Sequence, residues 1–185
     1  MGHSQAEIDD AQARWGLRFP PDLVDLLHEH RTLPVRPPGK LGSFTCMDVR
    51  PEVIRNWLDW PLNTFCDHLR HNPEQWWPEW GARPADEETR RSVVKSVLDI
   101  APRMIPILGH RLLPEDPCET RNPVFSVAGT DTIYFGANLN DWLSRELAEP
   151  GTGHLLPWPA IKPIRFWADA VRHGPFSEDS GQAPF

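Results

Sequence analysis

The sequence predicts an α+β fold, in which helices pack on a small, mainly antiparallel sheet. Four short apolar runs are separated by turn-forming residues, as consecutive antiparallel strands are. These runs are Met104–Leu108, Arg111–Leu113, Val124–Val127 and Thr132–Phe135. A helical pattern with Trp142 and Leu147 on its apolar face follows directly. Strands that lead into one amphipathic helix favour a layer of helix on sheet.

Two helices are expected at the start of the chain. Ser4 and Glu7 have the spacing of a capping box, and Gly16 stands where this first helix needs a left-handed residue to end. The second helix begins at Pro20–Pro21, because proline in the first turn removes no hydrogen bond. Residues 32–44 are rich in proline and glycine, and we expect them to form an irregular connection.

Three more helical patterns lie between residues 51 and 101. The first begins at Pro51, and the second ends near Asn72. Residues 73–84 then form an irregular loop with three tryptophans, which we call the aromatic loop. The third helix follows the cap residue Asp86.

The chain is expected to form one domain, residues 4–173, followed by a tail, residues 174–185. A last helix around Trp167 completes the domain, and Gly174 with Pro175 ends it. The tail is short, polar and rich in small residues, so we expect it to be disordered.

Composition indicates an ordinary soluble domain, with 39% hydrophobic and 24% charged residues. No run approaches the ~20 apolar residues of a membrane helix, and the amino terminus lacks the basic and apolar regions of a signal peptide. We therefore expect a cytoplasmic protein without membrane contact, whose Cys46, Cys66 and Cys118 stay reduced. The net charge of −7 and the absence of a Lys/Arg cluster argue against nucleic acid as a partner.

No arrangement of residues indicates an enzyme. Ser126 lacks the preceding glycine of a nucleophile elbow, so a half-buried hydroxyl on a strand is the favoured interpretation. The glycines occur singly, which excludes the common phosphate-binding loops. Cys66, His68 and His71 resemble metal ligands most, but their spacing spreads them over different faces of a helix. We therefore expect no catalytic residue, no metal and no cofactor.

His110 and Arg111, between two predicted strands, could orient a carboxylate. We favour instead a turn in which Arg111 pairs with an acidic residue of the next loop. The candidates are Glu115, Asp116 and Glu119. A deep cavity that held His110, Arg111 and a carboxylate of shifted pKa would favour an enzyme with a small-molecule pocket in the sheet.

The aromatic loop and the residues after it contain the candidate site. Helical spacing does not assign its three tryptophans to a core, and acidic residues stand close to them in sequence. One interpretation is a lid that folds back over the core, because large aromatic side chains are mostly buried. The other is a partly exposed aromatic patch with an acidic rim, the composition of a protein-binding hot spot. The candidate protein-binding residues are Trp76, Trp77, Trp80, Glu79, Asp86, Glu87 and Glu88.

The strand region also resembles a known family. The order IPI, GHR, NPVFSV and IYFG, which closes in a helix of the WLSREL type, is similar to the SMI1/KNR4 (SUKH) superfamily. The amino-terminal FPPDLVDLL resembles the other marker of that family, so the two markers bracket residues 7–149. The family usually has a Gly-containing turn soon after this helix, where the chain has Glu29–Leu33. The resemblance implies a single domain of the SMI1/KNR4 type.

The resemblance also implies a function, which is to bind another protein. Many bacterial members of the family are thought to be immunity proteins that neutralise polymorphic toxins, often nucleases, and fungal members act as regulatory scaffolds. The leading expectation is thus an immunity protein with a cognate toxin as partner, which an acidic chain would suit if the toxin is basic. The alternatives are a regulatory or scaffold protein without a toxin partner, and an enzyme with a pocket in the central sheet. The sequence indicates no oligomeric state.

Overall fold

Helices and antiparallel strands make up the part of the chain that the structure describes. The computed structural model describes residues 2–35, 40–147 and 161–174. Within these ranges the fold is α+β, with a two-stranded and a four-stranded sheet and seven α-helices. None of the helices described is long and apolar enough to span a bilayer.

The helices before the main sheet follow the predicted order. They are α1 (Gln5–Trp15), α2 (Pro21–Glu29), α3 (Pro51–Leu58), α4 (Trp60–His71) and α5 (Glu87–Ile100). The ends of α1 are confirmed, because Ser4 and Glu7 form both bonds of a capping box and Gly16 ends the helix at φ 63°. Asp86 accepts a hydrogen bond from the Thr89 amide at 2.8 Å, so it caps α5 as predicted.

Residues 32–43 contain a small hairpin, and the expectation of an irregular connection there is wrong. β1 (Thr32–Val35) pairs antiparallel with β2 (Lys40–Ser43), in a register that sets Thr32 opposite Ser43. Each strand has only four residues, and Pro34 and Gly42 stand within them. Strands this short do not show the alternation that identifies a strand from sequence.

The main sheet contains the four predicted strands in sequence order. They are β3 (Met104–Leu108), β4 (Arg111–Pro114), β5 (Val124–Ala128) and β6 (Asp131–Gly136), each antiparallel to its neighbours. Next follows α6 (Leu139–Leu147), whose Trp142 is completely buried, as expected for a core residue. Gly136 permits this close packing, because a Cβ at that position would lie 2.7 Å from the Cβ of Trp142.

The last element described is α7 (Trp167–His173), in agreement with the predicted final helix. Gly174 follows it as the cap, and its amide donates to the carbonyl of Val171. The remainder of the expected tail, residues 175–185, lies outside the described residues.

Two hydrophobic clusters cover opposite faces of the main sheet. Adjacent residues of β4 show the alternation, since Leu113 belongs to the first cluster and Leu112 to the second. The first cluster contains residues of α1, α2 and α6, including Trp142. The second contains residues of α4, α5 and α7, and Trp77 of the aromatic loop joins it. The candidate site therefore lies on the side of the second cluster.

Candidate protein-binding site

The aromatic loop was expected to be irregular, but it contains two short helical turns. Pro73–Gln75 and Pro78–Trp80 each form one turn of 3₁₀ helix. Each turn begins with proline, whose fixed φ suits the first helical position. The indole nitrogen of Trp76 donates to the carbonyl of Gly81 at 2.9 Å and closes the loop on itself. A side-chain hydrogen bond from Thr130 to Gln75 joins the loop to the turn between β5 and β6.

Trp77 lies inside the protein. Only 6% of its surface is exposed. Its ring packs on Phe166 at a centroid distance of 5.5 Å, and the imidazole of His173 stacks on it at 4.6 Å. Phe65 of α4 meets it edge-on at 6.3 Å. For this residue the structure agrees with the lid interpretation, so Trp77 is not available as an exposed anchor.

Phe166, which covers Trp77, has an unusual backbone. Its φ is 67°, in the left-handed region that bulky residues rarely adopt. Such a conformation costs roughly 1–3 kcal/mol and persists only where the surroundings impose it. The ring contacts with Phe65 and Trp77, at 6.1 and 5.5 Å, are interactions that offset this strain.

Trp76 and Trp80 remain partly accessible. Both are half-buried, and their rings meet edge to face at 5.3 Å. Trp80 also packs on the outer side of Trp77, with ring centroids 4.6 Å apart. The loop thus presents two aromatic side chains to solvent on a buried third one, and these two are the loop's possible contacts for a partner.

The four acidic candidates are all exposed, but they differ in what surrounds them. Glu87 forms an ion pair with Arg70 of α4. Asp86 caps α5, and the hydrogen bond from the Thr89 amide lowers the pKa of its carboxyl below the ordinary value. Glu79 and Glu88 form no ion pair with any residue that the structure describes. The side chains able to meet a positive partner are therefore Glu79 and Glu88.

A cavity opens beside Trp76, between α4 and α5. Its volume is about 260 Å³, including the open solvent at its mouth. We call it the Trp76 cavity. Its lining consists of Cys66, Leu69, Arg70, Trp76, Glu87, Arg90, Arg91 and Val94. This combination joins residues of α4, α5 and the aromatic loop, and within each helix they stand three or four positions apart and so share a face.

The metal-like trio does not converge. His68 Nδ1 lies 3.2 Å from the carbonyl oxygen of Ala128, and His71 Nδ1 lies 2.9 Å from that of Asp67. Burial raises the pKa of the Cys66 thiol, which disfavours the thiolate that a metal requires. In residues 2–35, 40–147 and 161–174, no group of three or more His, Cys, Asp and Glu side chains could hold a metal ion.

Arg111 has a different partner from the one expected. Its guanidinium donates to Ser126 Oγ at 2.7 Å, and its Nε lies 3.9 Å from a carboxylate oxygen of Glu146 on α6. The guanidinium also lies over the ring of Phe135 at 3.5 Å. The predicted pairing with the following loop is therefore wrong, because Arg111 points to the face of the sheet that α6 covers.

Two of the three expected loop partners of Arg111 pair with other cations. Asp116 pairs with Arg18 at 3.3 Å, and Glu119 pairs with Lys162 at 2.8 Å. Burial lowers the pKa of Arg111 from its ordinary value, and the carboxylate of Glu146 opposes this shift. The Trp76 cavity does not include Arg111 or His110, so the specific arrangement that would favour an enzyme is not found at that cavity.

Contacts that decide the site come from residues far apart in the sequence. Trp77 is covered by Phe166, which immediately precedes the last helix described, and by His173 at the end of that helix. Arg90 and Arg91 of α5 line the Trp76 cavity. Their spacing from Glu87 and Val94 was the available signal, since these positions recur on one face of α5.

Comparison of the chain with protein-family models, with curated proteins and with solved structures finds no match.

Proposed function

We propose that the chain is a non-catalytic, protein-binding domain of the SMI1/KNR4 type that acts as an immunity protein. The observation that carries the binding proposal is the pair of half-buried, mutually packed rings of Trp76 and Trp80, with the exposed carboxylates of Glu79 and Glu88 close to them in sequence. Half-buried tryptophans supply apolar area with little loss of side-chain entropy, and they are enriched among binding hot spots. Nearby carboxylates orient and accelerate the approach of a positive surface.

The immunity role comes from the family resemblance of the sequence. In this role the domain covers the active surface of a toxin, such as a nuclease, and blocks it without turnover. A basic surface that recognises phosphates is a suitable target for an acidic protein, because opposite charges steer association. Such a mechanism needs neither metal nor cofactor. A regulatory scaffold of the same fold remains the alternative function.

The first experiment uses the neighbouring reading frame. The carboxyl-terminal domain of a multidomain secreted protein encoded there would be produced with and without this chain. We expect the two proteins to form a complex, and the chain to restore growth of cells that express the toxin domain. Absence of both the complex and the protection would contradict the immunity role.

The second experiment locates the surface by the kinetics of binding. Trp80→Ala should mainly speed dissociation, by about 30-fold if it removes a hot spot. The double change Glu79→Lys and Glu88→Lys should mainly slow association, and added salt should reduce this effect. Asp25→Lys with Glu29→Lys on α2 alters the net charge equally and serves as the control. Equal effects of the two charge pairs would show that the surface around Trp80 is not the interface.

A further inference from the structure

A group of polar side chains surrounds Arg111, on the face of the main sheet that α6 covers. Only 18% of the Arg111 side chain is exposed, and its guanidinium lies over the ring of Phe135 at 3.5 Å. The Nη1 of Arg111 donates to Ser126 Oγ at 2.7 Å and also contacts Nε2 of His110. A mostly buried cation is therefore held by two neutral acceptors, one on β5 and one in the turn before β4.

The contact with Arg111 selects one protonation state of His110. A guanidinium has hydrogen-bond donors only, so Nε2 of His110 must accept. A ring whose Nε2 accepts is neutral and carries its proton on Nδ1. Burial, and then the positive charge of Arg111, lower the pKa of His110 below its ordinary 6.5. The folded protein thus holds this imidazole neutral at pH 7.

A second acceptor for Arg111 lies on α6. Oε2 of Glu146 is buried and accepts no hydrogen bond from the residues described. It lies 3.9 Å from Nε of Arg111, so a movement of about 1 Å would bring the two atoms into hydrogen-bond range. A carboxylate forms stronger hydrogen bonds with guanidinium than a neutral acceptor does, and a buried acceptor without a donor is unfavourable. Arg111 therefore has a stronger partner within reach.

Protonation of His110 removes one of the present acceptors. An imidazolium has only N–H donors, and it sets a second positive charge against Arg111. His110 is exposed, so its ring can turn to water, whereas the guanidinium of Arg111 cannot. Of the residues described, Glu146 is the charged group that faces Arg111, and Arg111 is the one that faces His110. The neighbouring Arg145 pairs with Asp141 at 2.9 Å. The carboxylate of Glu146 is thus the group to which Arg111 can turn.

We propose that Arg111 is a pH-dependent switch, which contacts His110 at neutral pH and forms an ion pair with Glu146 after His110 takes up a proton. The exchange would tie the last turn of α6 to β4 in acid and leave that tie open at neutral pH. The device acts on the face of the sheet opposite the aromatic loop. It does not depend on the proposed binding function and can fail or stand without it.

An NMR titration from about pH 7.5 to about pH 5 tests the exchange in the whole chain. The signals are Cε1–Hε1 of His110 and Nε–Hε of Arg111, which His110→Asn and Arg111→Lys identify. We expect both signals to move with one midpoint, below pH 6.5. The Hε proton of Arg111 should move downfield as it bonds to the carboxylate. If His110 titrates while the Arg111 signal stays constant, the ring merely turns to solvent and the switch is refuted.

Two variants separate the switch from a general response to acid. Glu146→Gln keeps the size of the side chain but removes its charge, so His110 should still titrate while the downfield movement of Arg111 is lost. His110→Asn offers Arg111 an oxygen acceptor that does not titrate, so the Arg111 signal should stay constant over this range. A full movement of Arg111 in either variant would overturn the proposal. Far-UV circular dichroism verifies that both variants fold.

Urea unfolding at a series of pH values tests the contact with His110 by stability. A lowered pKa means that the unfolded chain binds the proton more readily than the folded protein does. The contribution of His110 is therefore complete above pH 6.5 and lost as the pH falls through the lowered pKa of the folded protein. Between pH 7 and pH 5 the urea midpoint of wild type should fall further than that of His110→Asn. Equal falls would overturn the proposal, because the remaining histidines are common to both proteins.

Discussion

Replacement of Trp77 by alanine tests whether the aromatic loop is part of the core. The substitution removes an indole that is 6% exposed and that contacts Phe65, Trp80, Phe166 and His173. Loss of a buried Trp or Phe ring costs about 3–5 kcal/mol, depending on how far the surroundings can close the space. Here the loop covers the ring from one side, and Trp80 can move inward. We therefore expect a loss near the lower end, about 3 kcal/mol.

The measurement is urea unfolding followed by far-UV circular dichroism. Tryptophan fluorescence is less suitable, because the substitution removes one of the nine fluorophores. For a chain of this length a loss of about 3 kcal/mol corresponds to a fall in Tm of roughly 6–12 °C. Trp77→Phe keeps a ring in place between His173 and Phe65, so it should be clearly less destabilising than Trp77→Ala.

Trp76→Ala is the matched control for Trp77→Ala. It removes the same side chain from the same loop, at a half-buried position, so its effect on unfolding should be much smaller. A loss below about 1 kcal/mol for Trp77→Ala, a typical value for an unremarkable substitution, would refute the reasoning. The ring would then contribute little to the second cluster, and the exposed-patch interpretation would return for Trp77.

Three further predictions concern the core and the ionisable groups. Trp142→Ala should destabilise the domain by about 3–5 kcal/mol in urea unfolding, because the ring is fully buried; an unchanged Tm would contradict its place in the core. In native protein the exposed Cys118 should react rapidly with a thiol reagent, whereas Cys46, whose pKa burial raises to about 12, should react only on unfolding; rapid labelling of both would contradict this. Hydrogen bonds from Ser4 and Arg31 lower the pKa of Glu7 to about 2 from its ordinary 4.5. The contribution of Glu7 to the free energy of unfolding should therefore be complete above pH 4.5 and lost as the pH falls through about 2. Glu7→Gln should remove that part of the acid dependence measured by unfolding at a series of pH values, and an unchanged acid profile would refute the assignment.

The sequence was informative where structure depends on local patterns. The capping box at Ser4 and Glu7 and the four runs of the main sheet were predictable, because caps, turns and alternation are encoded within a few residues. The hairpin at residues 32–43 was not, since its short strands carry Pro34 and Gly42 where a longer strand would alternate. The helix and strand content of the domain therefore followed from sequence better than its shortest elements did.

The candidate site was less predictable than the fold, because tertiary contacts define it. Arg111 was expected to pair within the next loop, but its carboxylate partner is Glu146, which α6 brings across the sheet. The three tryptophans of the aromatic loop were indistinguishable in sequence. Phe166 and His173, roughly ninety positions further on, decide that Trp77 is the buried one. No local pattern contains that information.

The packing of Trp77 against the last helix has a consequence for biosynthesis. During translation Trp77 leaves the ribosome before Phe166 and His173 exist, so its ring has no cover from them. At roughly 5–20 residues per second, synthesis of the intervening chain takes on the order of 5–20 s. For this time the nascent chain presents an apolar surface that the finished protein hides. The interval is long enough for a chaperone to bind this apolar surface. That access ends when α7 has been synthesised and packs on Trp77.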